Sequence, residues 1–173
     1  MRDRYLTIYL RDHYAMAQGG IDFFERVCRQ NKGNVVGGRL EEMIVELKEE
    51  SRDLKRVLDL LHIERSPLKT AGARLAQQAG RLKFNGELLS YSPLSRLLEL
   101  EGCMAAVTTR RGLWMTLSDA QFVHSALEEL PFDSFIARCD RQLEVLQNLH
   151  SKAARTMLKA GREQDSPGGR PRA

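Results

Sequence analysis

The chain has 173 residues, with 27 Lys and Arg against 23 Asp and Glu, a net charge of +4, 42% apolar and 29% charged residues. A domain of this size buries roughly 70% of the surface its unfolded chain exposes, enough for a self-sufficient core. Its longest unbroken apolar run, Cys103 to Val107, falls far short of the roughly 20 residues of a membrane span, and its interleaved charges make no electrostatic stripe aimed at phosphates.

The start, Met1-Arg2-Asp3-Arg4-Tyr5, is charged and runs straight into a periodic pattern with no apolar signal core, which predicts a cytoplasmic location. Residues 3–31 are predicted as the first helix. Leu6, Leu10, His13, Ala17, Gly20, Phe24 and Val27 alternate by four and three, which holds them on one face. Asn31-Lys32-Gly33-Asn34 is a stop with a left-handed glycine.

Residues 38–62 are predicted as the second helix, entered through Gly37-Gly38. Its stripe is Leu40, Ile44, Leu47, Ser51, Leu54, Leu58 and Leu61, with Met43 and Val57 alongside. Ser66-Pro67 is a capping serine followed by a first-turn proline, and it opens a shorter helix rich in small residues to about Leu82. Ser92-Pro93 repeats that signal for the third long helix, 93 to about 116, apolar around most of its circumference. Ser118 with Gln121 suggests a capping box for a short helix to Leu130. Asp133 then caps the last long helix, 134–160, with stripe Ile136, Cys139, Leu143, Leu146, His150, Ala153 and Met157. Residues 161–173 have no apolar periodicity and are predicted as a disordered tail beyond a single domain, 1–160.

Four long helices of matched length with single apolar stripes predict an all-α, antiparallel four-helix bundle. The segment of about thirty residues between the second and third is long enough to cross the length of that bundle, the connection of the ferritin-like folds. The architecture thus resembles ferritin-like bundles. Tyr9-Leu10-Arg11-Asp12-His13-Tyr14, Ser92-Pro93-Leu94 followed by Leu98-Glu99-Leu100-Glu101, and Arg111-Gly112-Leu113-Trp114 also look like a group of short bacterial helical proteins. That resemblance covers most of the chain, implies a helical bundle and brings no activity with it.

Ferritin-like carboxylate proteins hold two metals with a Glu from each of two helices and a Glu-x-x-His from each of the others. No Glu-x-x-His occurs in these long helices. The nearest approximations are Glu50-x-x-Asp53 and Glu144-x-x-Gln147, with Glu101 on the third helix and no mid-helix glutamate on the first stripe. His13 and His150 occupy stripe positions and could meet Glu50 or Glu101 as a metal or acid–base site, or each could be satisfied privately by a neighbour. The metal candidates are therefore His13, Glu50, Asp53, Glu101, Glu144, Gln147 and His150, and no cofactor is expected. Cys28, Cys103 and Cys139 are far apart, form no CxxC pair, and read as buried thiols.

Arg110-Arg111 and the run Lys152, Arg155, Lys159, Arg162 lack interleaved aromatics for base stacking, so no nucleic-acid site is expected. No phosphate loop, dinucleotide fingerprint or nucleophile elbow is present. Three readings of function follow. The first is a non-enzymatic bundle acting through protein–protein interaction or self-association, with Tyr5, Phe23, Phe132 and Trp114 as a dimer patch. The others are a ferritin-like protein with a degenerate carboxylate and histidine set, and a weak nucleic-acid-associated protein.

Overall fold

The computed structural model describes residues 3–64 and 91–164. Among them the chain forms four long helices, α1 (Arg4–Gln30), α2 (Val35–Leu60), α3 (Pro93–Ala120) and α4 (Phe132–Gln164), and no strand. The short helix expected over 66–82 falls within residues 65–90, outside the described residues, as do 165–173 of the expected tail.

Side-chain caps set the helix starts. Asp3 accepts from the amides of Tyr5 and Leu6 at 3.0 and 3.1 Å and opens α1. Asn34 does the same for Val36 and Gly37, at 2.9 and 3.2 Å, so α2 begins before the Gly37-Gly38 pair rather than at it. Gly33, with φ of 83°, makes the turn between them. Ser92 caps α3 through the amide of Ser95 at 3.1 Å, with Pro93 in the first turn.

The expected capping box at Ser118 and Gln121 does not start a new helix. Helix α3 runs on to Ala120, and only a 3-10 turn, Ser125–Leu127, follows. The Gln121 amide instead donates to the carbonyls of Leu127, Glu128 and Leu130, at 2.9, 3.2 and 3.1 Å, folding the loop back on itself. Helix α4 starts earlier than Asp133 would dictate, because the Pro131 carbonyl accepts from the amides of Ser134 and Phe135. It also continues to Gln164, four residues into the expected tail.

The helices pack as a bundle in the order α2, α1, α3, α4 around one core, with α4 returning to α2. Helices α1 and α2 meet through Cys28–Gly37, Glu25–Lys48 and Gln18–Ser51. Helices α1 and α3 meet through Arg26–Glu99, Phe23–Gly102 and Tyr9–Thr116, and α3 and α4 through Glu101–His150, Arg111–Asp140 and Trp114–Phe135. Trp114 and Phe132, expected in a dimer patch off the main stripes, are instead core residues 0% and 2% exposed, in ring contact with each other and with Phe135. Of the four aromatics expected there, Tyr5 is 84% exposed.

The buried faces alternate by three and four more strictly than the predicted stripes. On α2 the series is Leu40, Met43, Leu47, Glu50, Leu54 and Val57, so Glu50 and not Ser51 holds the core position. On α4 it is Phe135, Cys139, Gln142, Leu146, Leu149 and Ala153. Gln142 and Leu149 take the places expected for Leu143 and His150. On α3, Leu100, Cys103, Val107, Trp114 and Leu117 are buried, and Arg110 stands in the gap of that series.

Candidate functional site

Three helices thus place a polar residue at a core position, and the three meet. Gln142 on α4 donates from Nε2 to Glu50 Oε1 at 3.1 Å and to Glu46 Oε2 at 2.7 Å. Glu50 Oε2 lies 3.1 Å from Nε of Arg110, an ion pair whose N–H axis misses the oxygen, so neither atom completes a hydrogen bond among the described residues. Trp114 Nε1 is likewise buried without a partner there. The Glu50 side chain is 1% exposed and that of Arg110 14%.

The fourth helix buries little at this level. Between Leu10 and Phe24, α1 has no fully buried residue. It presents His13, Ala17 and Gly20 there, and a Cβ built on Gly20 would find nothing within 4 Å. The result is a cavity of about 510 Å³ bounded by α1, α2 and α3. Its apolar wall includes Met16, Ala17, Phe23, Leu47, Leu54, Ala105, Ala106 and Leu113, and its polar wall includes Glu50, Arg110 and His13. Gly102 on α3 lets the Phe23 ring close one side: a Cβ there would lie 2.8 Å from the ring's tip.

Burial pushes the Glu50 carboxyl above the usual carboxylate range, against the opposing pull of Arg110, Arg138, Gln142 and Trp114. Burial lowers the His13 imidazole, and Asp12 pulls it the other way. His13 also packs against the Tyr9 ring at 4.3 Å. The three cysteines are all buried. Burial raises each thiol, that of Cys139 to about 12 and that of Cys103 further.

Of the seven metal candidates, only His13 and Glu50 reach this cavity. Glu101 and His150 pair with each other at 3.1 Å on the α3–α4 surface, with half-exposed side chains. Asp53 is half-buried on α2, and Glu144 and Gln147 are exposed on α4. Among the described residues, no three His, Cys, Asp or Glu side chains come together in a way that could hold a metal ion. No helix among them is long and apolar enough to cross a membrane.

The sequence reading passed over Arg110, Gln142 and Gly20 as site residues. The signal was present as spacing: 107, 110, 114 on α3 and 139, 142, 146 on α4 continue the core series through one polar residue each. No family model matches the chain, and neither a curated protein nor a solved structure matches it.

Proposed function

We propose that this chain is a cytoplasmic, ferritin-like bundle that binds a small apolar molecule in the cavity among α1, α2 and α3. The observation that carries the reading is the missing layer of α1. A cleft of about 510 Å³, partly open to solvent, lies beside Gly20, where an added Cβ would meet nothing. That volume falls within the roughly 300–1,000 Å³ of small-molecule sites, which combine an apolar wall with a few placed polar groups.

The ferritin-like connectivity draws on the direction of the helix contacts. From Cys28–Gly37 to Gln18–Ser51, from Arg26–Glu99 to Tyr9–Thr116, and from Glu101–His150 to Arg111–Asp140, the number falls on one helix as it rises on the other. Neighbouring helices on this reading are antiparallel, and α2 and α3 run the same way. Two hairpins joined by one crossover is the ferritin-like pattern. The likeness is one of connectivity: Glu50 faces an arginine and a glutamine, donors that satisfy a carboxylate, in place of further metal ligands.

The test is titration of the full chain with indane, an uncharged bicyclic hydrocarbon, followed by calorimetry. Saturable binding to the wild type and weaker binding to Gly20→Leu, whose side chain takes up part of the cavity, is expected. No binding to the wild type, or undiminished binding to the filled variant, refutes the reading.

Self-association is a second reading, and it draws on one end of the bundle. Phe122 and Val123 are 90% and 76% exposed there, where the Tyr9–Thr116 hydrogen bond brings the start of α1 and Tyr5 to the end of α3. Light scattering of the wild type and of Phe122→Ser decides it: equal masses at every concentration remove it.

A further inference from the structure

Resting on the pocket reading, we infer that the ligand is uncharged and carries a carbonyl acceptor, which the terminal amino groups of Arg110 hold while Glu50 positions the guanidinium. Nε of Arg110 is buried against Glu50, whereas its two terminal amino groups form no hydrogen bond among the described residues, and the side chain as a whole keeps 14% of its surface exposed. They belong to a side chain that lines the cavity. A guanidinium offers donors only, in a fixed fork, so what it asks of a ligand is an oxygen that accepts.

The charge on that ligand follows from what surrounds the arginine. The charged side chains that line the cavity are Asp22 and Arg26 on α1, Glu50 on α2 and Arg110 on α3, with the His13 imidazole beside them, and Arg26 is taken up by Glu99 at 3.5 Å. Arg110 is already matched by Glu50, and Glu49 takes up Arg138 at 3.9 Å. A ligand carboxylate would enter as a further anion beside an already acidic group, where like charges are costly. An ammonium would instead face the donor-only edge of Arg110. A neutral carbonyl avoids both penalties and leaves the rest of the molecule against the apolar wall.

A matched series separates this inference from the pocket reading beneath it: indane, indanone, indane carboxylate and aminoindane, titrated by calorimetry into the full chain. Indanone is expected to bind about tenfold more tightly than indane, as a hydrogen bond to a charged donor should give, and more tightly than either charged analogue. In Arg110→Met the ratio of indanone to indane affinity is expected to fall to about one, whatever the change in indane binding itself. Glu50→Gln/Arg110→Met, which leaves no buried charge unpaired in the couple, reads the same loss if the single variant does not fold. Equal binding of indane and indanone, or preference for a charged analogue, overturns the inference and leaves the pocket standing. Failure of all four to bind overturns both.

Discussion

Gly20 is the residue on which the cavity depends, and its replacement gives opposite signs for a true void and for a packed seam. Glycine in a helix interior costs about 1 kcal/mol relative to alanine. At Gly20 an added Cβ meets nothing within 4 Å, so Gly20→Ala recovers that amount without strain. Gly20→Leu adds apolar burial, worth about 1.5–3 kcal/mol for a fully covered side chain. The site is half-buried, so half of that is the reasonable share, and the variant should gain about 2 kcal/mol in all. For a chain of this length that is a rise of about 4–8 °C in the thermal midpoint, also visible as a higher urea midpoint at unchanged slope. Gly37, also helical, is the control. A Cβ there would run into the backbone carbonyl of Asn31, which cannot swing aside, so Gly37→Ala should lose about 1–3 kcal/mol. A Gly20→Leu protein less stable than Gly20→Ala would show that α1 packs closely at this level, and the cavity argument would fail with it.

The buried ion pair predicts an asymmetry between single and double variants. Arg110→Met leaves Glu50 uncompensated and should cost about 3–5 kcal/mol, whereas Glu50→Gln/Arg110→Met should stay close to wild-type stability or exceed it; equal losses in the two refute the pairing. The pH dependence has a definite sign. Because burial raises the Glu50 carboxyl in the folded state, that state binds the proton more tightly than the unfolded chain. Its contribution is complete below the unfolded carboxylate range and is lost as pH rises through the folded value. The stability of wild type relative to Glu50→Gln should therefore fall with rising pH, measured by urea unfolding, and a difference that grows with pH contradicts it. The three cysteines, all buried with raised thiols, should resist a thiol reagent such as dithionitrobenzoate in the native protein and react together on unfolding. Fast labelling of Cys103 or Cys139 in native buffer counts against the helix packing described.

Much of the fold was legible because helix formation is local and repetitive. The stop at Gly33, the Ser92-Pro93 start and the alternating spacings each lie within one or two turns of chain, and the structure places helices on them. The misreadings arose where a long-range partner decided the matter. Gln121 resembles a capping residue in sequence, but three carbonyls of the following loop claim its amide. Leu143 and His150 fit a stripe as well as Gln142 and Leu149 do, and only Glu46 and Glu50, on another helix, select Gln142.

The site was harder to read for a related reason. Hydrophobic periodicity finds the positions that follow the rule, so a stripe drawn through Ser51 and Leu143 steps around Glu50 and Gln142. Tracing the three-four series strictly, and asking where a polar residue or a glycine interrupts it, finds Gly20, Glu50, Arg110 and Gln142 on four different helices. Spacing alone does not say that these interruptions fall at one level. That depends on how α1 and α2 are staggered by the short turn at Gly33, and how α3 and α4 are staggered by the loop that Gln121 folds back. A single interrupted layer would be a packing defect to be repaired by substitution, as proteins readily gain stability from filled cavities. Three polar side chains converging on the level where the fourth helix carries glycine is a different situation, because filling the void at Gly20 leaves Glu50 and Arg110 just as polar and just as buried. Stability selection acting alone would favour apolar residues at both places, and their presence together is what makes the cavity the place to look for a ligand.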